Sequence, residues 1–268
     1  MLKKCLTIAG SDCSGGAGIQ ADLKTFSALG TYGMSCICAL TAQNTKEVSM
    51  VENISQVMIT AQLRAIYDDI VPDAVKTGML STAETVDTVS TFLETLHPSN
   101  LVVDPVMVAT SGARLLDEDA VHLYRTKLIP LASVVTPNVP EAEVLAGMKV
   151  QTKEDMKQAA LKIMEIGPKA VLIKGGHAVQ TATDVLYNGY EFIVYEEKKI
   201  ETKNTHGTGC TLSSAIAALL AQNYSLEEAV QQAKSYLTGA IKAAALHSPG
   251  HGYGPVSHFW FYKNPWRK

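Results

Sequence analysis

Nowhere in this 268-residue chain do apolar residues run on for long. None of its stretches reaches the roughly 18 positions that a membrane-spanning helix requires, so no such span is expected. The N-terminal Met1-Leu-Lys-Lys imitates the basic start of a secretory signal. The apolar stretch Cys5-Leu-Thr-Ile-Ala9 that follows is too short for one and runs straight into Gly10-Ser-Asp12. Cysteine is sparse and odd in number, at five, in a chain long enough to bury a core without staples. This favours a reducing compartment over a disulfide framework, and with the missing span it gives a cytoplasmic expectation.

Charge of one sign is lacking too. The formal net charge is -3 and there is no concentrated basic run, which argues against a nucleic-acid partner. Hydrophobic residues make up 47% and charged residues 18%, an ordinary soluble balance that excludes disorder. Low-complexity linkers, charge blocks and internal repeats are absent, so residues 1–268 read as one domain.

What is present is alternation. Short apolar runs at 6–9, 35–41, 74–77, 101–103, 133–136 and 170–173 read as strands. Helical patterns at 19–29, 55–70, 83–96, 117–128, 141–146, 153–166, 211–222 and 226–245 lie between and after them. Strand–helix alternation of this kind predicts an α/β fold with a mostly parallel sheet. Asn188-Gly189 between 185–187 and 192–195 signals a small antiparallel hairpin. Ligands of open parallel sheets bind at the carboxyl ends of strands. The strand-ending residues Gly10-Ser-Asp12, Gln43-Asn44, Gly78, Asp104, Asn138, Lys174 and the loop at Gly207 are therefore expected to share one crevice.

That last loop, Asn204-Thr-His-Gly-Thr-Gly-Cys-Thr211, is the most informative segment. Gly207 and Gly209 permit a tight turn just before an apolar helix. The free N–H groups opening that helix, and its dipole, favour an anion such as phosphate. Cys210 lies in the same field, which is expected to lower its pKa and favour thiolate. A cysteine at a helix start also serves as a small buried apolar residue, so the loop alone leaves both readings open.

The run Thr7-Ile-Ala-Gly-Ser-Asp-Cys-Ser-Gly-Gly-Ala-Gly18, continuing Ile19-Gln-Ala-Asp-Leu-Lys-Thr-Phe26, adds a family likeness. So do Ala42-Gln-Asn-Thr45, Lys76-Thr-Gly-Met-Leu80, Thr136-Pro-Asn138, Lys174-Gly-Gly-His177, the Gly207 loop and the tail Gly250-His-Gly-Tyr-Gly-Pro-Val-Ser-His258. Together, and in this order, they resemble the hydroxymethylpyrimidine kinase / phosphomethylpyrimidine kinase family of thiamine biosynthesis. Its parent is the ribokinase-like superfamily and its cousin the pyridoxal kinase branch. The resemblance implies a ribokinase-like three-layer sandwich without a large lid, usually a homodimer. It implies ATP-dependent phosphorylation of 4-amino-5-hydroxymethyl-2-methylpyrimidine and then of its monophosphate, with Mg²⁺ accompanying the nucleotide. A pyridoxine/pyridoxal kinase is the alternative.

The same resemblance implies roles. Cys210 stands where sugar kinases of the superfamily place a catalytic aspartate, with the amides of Gly207, Thr208 and Gly209 steadying the transferred phosphoryl group. Gln43 reads the aminopyrimidine, because a carboxamide presents an acceptor and a donor side by side to the ring nitrogen and exocyclic amine. Asp22 matches a carboxylate near the substrate, although an acidic residue in an early helical turn is also favoured by the dipole alone. Gly10, Met79 and Val106 match the ring pocket, the last two being equally compatible with core. Asn138, Glu141, Lys174, Thr208 and Lys234 fall on the ATP side. Local capping explains part of the Asn138–Glu141 signal, and a helix-surface lysine is the competing reading for Lys234. Asp104 and Glu141 are the metal candidates, with no dedicated cage expected. Cys36 and Cys38, on one face of a strand, read as packing.

Overall fold

The computed structural model describes residues 1–107, 118–175, 181–246 and 248–262. Its strands are β1 Lys4–Asp12, β2 Tyr32–Gln43, β3 Val48–Asn53, β4 Ala74–Thr77, β5 Leu101–Val103, β6 Val134–Val135, β7 Val171–Gly175, β8 Thr181–Tyr187 and β9 Phe192–Lys198. The helices are α1 Gly18–Ala28, α2 Gln56–Tyr67, α3 Ala83–Leu96, α4 Glu118–Leu123, α5 Val139–Ala146, α6 Lys153–Met164, α7 Thr208–Ala221 and α8 Leu226–Ala244.

All nine strands form one sheet in the order β3-β2-β1-β4-β5-β6-β7-β8-β9. From β2 to β7 every neighbouring pair is parallel, while β3, β8 and β9 add on antiparallel at the two edges. Side chains alternate across a strand, and the two faces fill two cores. Leu6, Ile8, Val75, Leu101, Val103, Val135, Val171 and Ile173 pack with α2 to α6. Cys5, Ala74, Val102, Val134 and Leu172 pack with α1, α7 and α8. The second face carries the smaller residues, so α7 can lie close to the sheet. Every residue of α7 from Thr211 to Ala221 is buried, as a helix apolar on all sides must be.

Two departures from the sequence expectation have physical causes. β3 was not anticipated: nearly all its residues are exposed, so it carries no buried stripe to read, and it exists through its pairing with β2. The helix expected over 117–128 is α4 followed by a π-helical turn at Tyr124–Leu128 and a 3₁₀ turn at Ile129–Leu131. Pro130 lacks the N–H needed to carry an α-helix onward. Its first residue, Asp117, lies outside the described residues, as do Gly176 and His177 of the Lys174 motif. Cys36 and Cys38 are fully buried, as expected.

Candidate active site

The carboxyl ends of β1, β2, β4, β5 and β7 open onto a cavity of about 700 Å³. Its phosphate end is built by α7. Gly207 caps that helix with φ 78°, and a Cβ there would stand 1.9 Å from the Gly16 carbonyl oxygen, so only glycine fits. The two glycine turns are held together by Asp12, which accepts from the amides of Ser14, Gly16 and Ala17 at 2.9, 3.1 and 2.8 Å. His206 Nε2 joins the same carboxylate at 2.8 Å. These hydrogen bonds hold the Asp12 carboxyl below its usual range although burial opposes them.

Within the opening turn of α7 the expected amide set is partly corrected. The Thr208 N–H donates to the Thr205 carbonyl at 3.3 Å, so it is already engaged. Gly209 faces the Lys174–Asp104 pair: a Cβ on it would lie 3.3 Å from Lys174 Nζ and 3.6 Å from Asp104 Oδ2.

Lys174 Nζ binds Asp104 Oδ1 at 2.8 Å. Burial works against the Lys174 charge, but Asp104 and Glu141 outweigh it and raise its pKa. Burial likewise works against the Asp104 charge, but Lys174 and Lys76 hold that carboxyl low. Ser213 donates to Asp104 Oδ2 at 3.1 Å. Asn138 and Glu141 form a capping box at the start of α5, with bonds of 2.9 and 2.8 Å, which accounts for part of their motif. Burial pushes Glu141 up to about 7 against the pull of Lys174. Lys234 is not the surface lysine that its helix position suggested. It is 5% exposed, 2.6 Å from Asp184, and lines the cavity.

Gly10, Met79, Val106 and Gln43 line the same cavity. A Cβ on Gly10 would stand 2.5 Å from Met79 Cε, so the missing side chain makes room for that methionine. The Gln43 carboxamide is oriented by Thr41 Oγ1, 3.1 Å from its oxygen, and by His206 Nε2, 3.4 Å from its nitrogen.

Two expectations are overturned. Asp22 is neither a surface residue nor part of the cavity lining: it is fully buried beneath the floor, bound to Lys76 at 2.9 Å. Cys210 lies on the cavity wall, yet burial pushes its thiol up to about 11, with Lys76 pulling the other way. Loss of solvation outweighs the favourable field of the helix start, so the group rests as a thiol. Sequence reasoning placed Asp12 at the crevice and held Lys76 and His206 within motifs, but gave none of the three a role. The available signal for Lys76 was a lysine inside the otherwise short-chained strand β4. Among the described residues no cluster of three or more His, Cys, Asp or Glu side chains forms a metal cage.

A family profile for phosphomethylpyrimidine kinase matches residues 12–257. The chain belongs to the phosphomethylpyrimidine kinase family. It is 52% identical over 256 residues to the hydroxymethylpyrimidine/phosphomethylpyrimidine kinase of Rhizobium meliloti, covering 95% of this chain and 96% of that protein. It is 48% identical over 254 residues to the thiamine biosynthesis bifunctional protein of Geobacter sulfurreducens. That match takes in 94% of this chain and spans about half, 51%, of the longer protein. The solved structure of a Bacillus subtilis pyridoxal kinase in complex with ADP superposes with a TM-score of 0.90 at 40% identity, covering 97% of this chain and 99% of that one. The ribokinase-like α/β fold inferred for this family is thereby established for the chain.

Proposed function

We propose that this family member transfers the γ-phosphoryl group of ATP to the hydroxymethyl oxygen of 4-amino-5-hydroxymethyl-2-methylpyrimidine, and then to the resulting monophosphate. One observation carries the reading: a single cavity is lined both by the glycine-rich start of α7 beside Lys174 and by the oriented Gln43 carboxamide. The amides opening α7 and the Lys174 ammonium stabilise charge on the transferring group, which is most of what phosphoryl transfer asks of a protein. Gln43 pairs with the aminopyrimidine edge, Met79 and Val106 flank the ring, and the hydroxyl proton passes to Cys210 in its thiolate form, reached when the resting thiol gives its proton to solvent. Lys234 and Asn138 border the nucleotide.

Mg²⁺ fits this site as a nucleotide-borne ion. Asp104 and Glu141 are hard oxygen donors beside the anion position, and Mg²⁺ keeps several waters and uses few carboxylates. When bound it neutralises phosphate charge. The reading extends to one cytoplasmic kinase domain working as a homodimer. Two features support it: the described residues hold no helix able to cross a membrane, and Leu40, Met50 and Val51 are exposed on the β2–β3 edge.

The likeness to a pyridoxal kinase makes vitamin B6 the competing acceptor. ATP consumption and product mass are therefore to be measured with the aminopyrimidine, its monophosphate and pyridoxal. Both pyrimidines are expected to turn over. Pyridoxal, lacking the donor–acceptor edge, should be disfavoured by about a hundredfold or more in kcat/KM. Equal efficiency with pyridoxal would remove the Gln43 assignment, and no turnover of either pyrimidine would remove the function.

A further inference from the structure

One turn along α7 from Cys210, Ser214 meets a buried ion pair that the proposed chemistry leaves without a task. Lys76 and Ala74 share the β4 face that packs on α1 and α7, and Lys76 is fully buried there. Its Nζ reaches Asp22 Oδ1 and Oδ2 on α1 at 3.0 and 2.9 Å. Asp22 is held in turn by Thr7 of β1 and Ser214 of α7, each at 2.6 Å. A carboxylate bound by three side chains from three elements is a rigid anchor. The lysine it holds lines the cavity, as Cys210 does. Burying such a pair is costly, and apolar residues often stabilise a core equally well. Stability alone therefore gives little reason for it.

We propose that Lys76 is a positioning residue for phosphoryl transfer: anchored by Asp22, its ammonium supplies the positive charge against which the Cys210 sulfur takes the acceptor's proton. In that step the acceptor oxygen bonds to the γ-phosphorus. The bond from that phosphorus to the bridging oxygen breaks, its electron pair leaves on ADP, and the hydroxyl proton ends on the sulfur of the thiolate, the resting thiol having first given its own proton to solvent. The charged groups facing Cys210 are Lys76 from β4, Asp22 from α1, Asp104 after β5 and Lys174 from β7. Among them Lys76 is the strongest influence lowering the thiol, while Asp22 and Asp104 raise it. Lys174 is committed to Asp104 at 2.8 Å. This inference rests on the proposed kinase reading, but its main readout does not need turnover.

The test measures the alkylation rate of Cys210 at pH 8 by peptide mass spectrometry, in the full-length protein and three variants. Lys76→Met should slow alkylation about tenfold, the effect of moving a thiol about one unit when an opposite charge is removed. Asp22→Asn should speed it, because the ammonium then stands uncompensated. Lys76→Arg should keep the wild-type rate. A pair that merely holds the structure together gives the same sign for Lys76→Met and Asp22→Asn, since both loosen the same core. Equal signs, or no change in either, overturn the proposal. Should Lys76→Met fail to fold, Asp22→Asn against Lys76→Arg still decides it, unchanged or slowed alkylation in Asp22→Asn counting against. In kinetics, kcat should fall about tenfold in Lys76→Met with KM for the pyrimidine unchanged. A wild-type protein inactive on every acceptor, with the opposite alkylation signs intact, would instead condemn the kinase reading alone.

Discussion

His258 shows how much a single residue's surroundings decide. It is 4% exposed, with Nε2 3.0 Å from the Thr211 hydroxyl, and burial, with Lys24 contributing, lowers its pKa from 6.5 to about 4. The unfolded chain therefore binds a proton between pH 6.5 and 4 that the folded chain refuses. The associated stability is present above pH 6.5 and is lost as pH falls toward 4, amounting to about 3 kcal/mol. Glu141, raised to about 7, acts in the opposite sense over pH 4.5 to 7. Comparing wild type with His258→Gln removes that opposing contribution. Urea denaturation at pH 7 and pH 4.5 should show wild type losing about 2 to 3 kcal/mol more than the variant. An identical loss in both would mean that His258 is charged in the fold. Charged residues were also where the competing surface readings failed. Asp22 and Lys234 sit on helices, where charge normally faces water, and each is instead enclosed with a partner from another element.

At the scale of elements, the start of α7 separates conformation from chemistry. Gly207 has φ 78° and a neighbour's carbonyl where its Cβ would be, whereas Gly209 is helical and faces only Lys174 and Asp104. Gly207→Ala should therefore lower the melting temperature as well as activity. Gly209→Ala replaces glycine with a better helix former and should keep or raise stability. Its kcat/KM should nevertheless fall by about two orders of magnitude, the scale of a lost anion-hole donor. Thermal melts alongside steady-state kinetics check this, and a Gly209→Ala protein with full activity would move the phosphate elsewhere. Elements with buried apolar residues were readable to the residue: β4, β5 and α3 lie where their apolar patterns put them. β3 was not, because pairing and not burial creates it.

Across the whole molecule, the C-terminal tail reaches back to the N-terminal half. Gly252 N–H donates to Thr45 Oγ1 at 3.1 Å, and Tyr253 N–H donates to the Thr45 carbonyl at 2.8 Å. Gly254 O accepts from the His206 amide at 3.0 Å, so the tail clasps the loops bearing Gln43 and His206 together. A Cβ on Gly252 would stand 2.1 Å from the Thr45 carbonyl oxygen. Gly252→Ala should displace the Thr45 loop and raise KM for the pyrimidine about tenfold, since small misplacements of binding groups are costly. KM for ATP should stay unchanged, because the residues proposed for the nucleotide come from α5, β7 and α8. A parallel rise in both constants would show general loosening.

Periodicity, glycine placement and the strand-ending polar residues were enough to predict a parallel α/β sheet and a phosphate loop before α7, because those signals are local and each element carries its own. Gln43, Lys174 and the Gly207 turn were likewise visible as strand ends and glycines. Which charges are buried, and against what, was not written in any local stretch. The pairs Lys76–Asp22, Lys174–Asp104 and His206–Asp12 join residues 54, 70 and 194 positions apart. Only packing the elements set those distances, and with them the protonation of Cys210, since solvation and Coulomb interaction depend on separation in space and not along the chain.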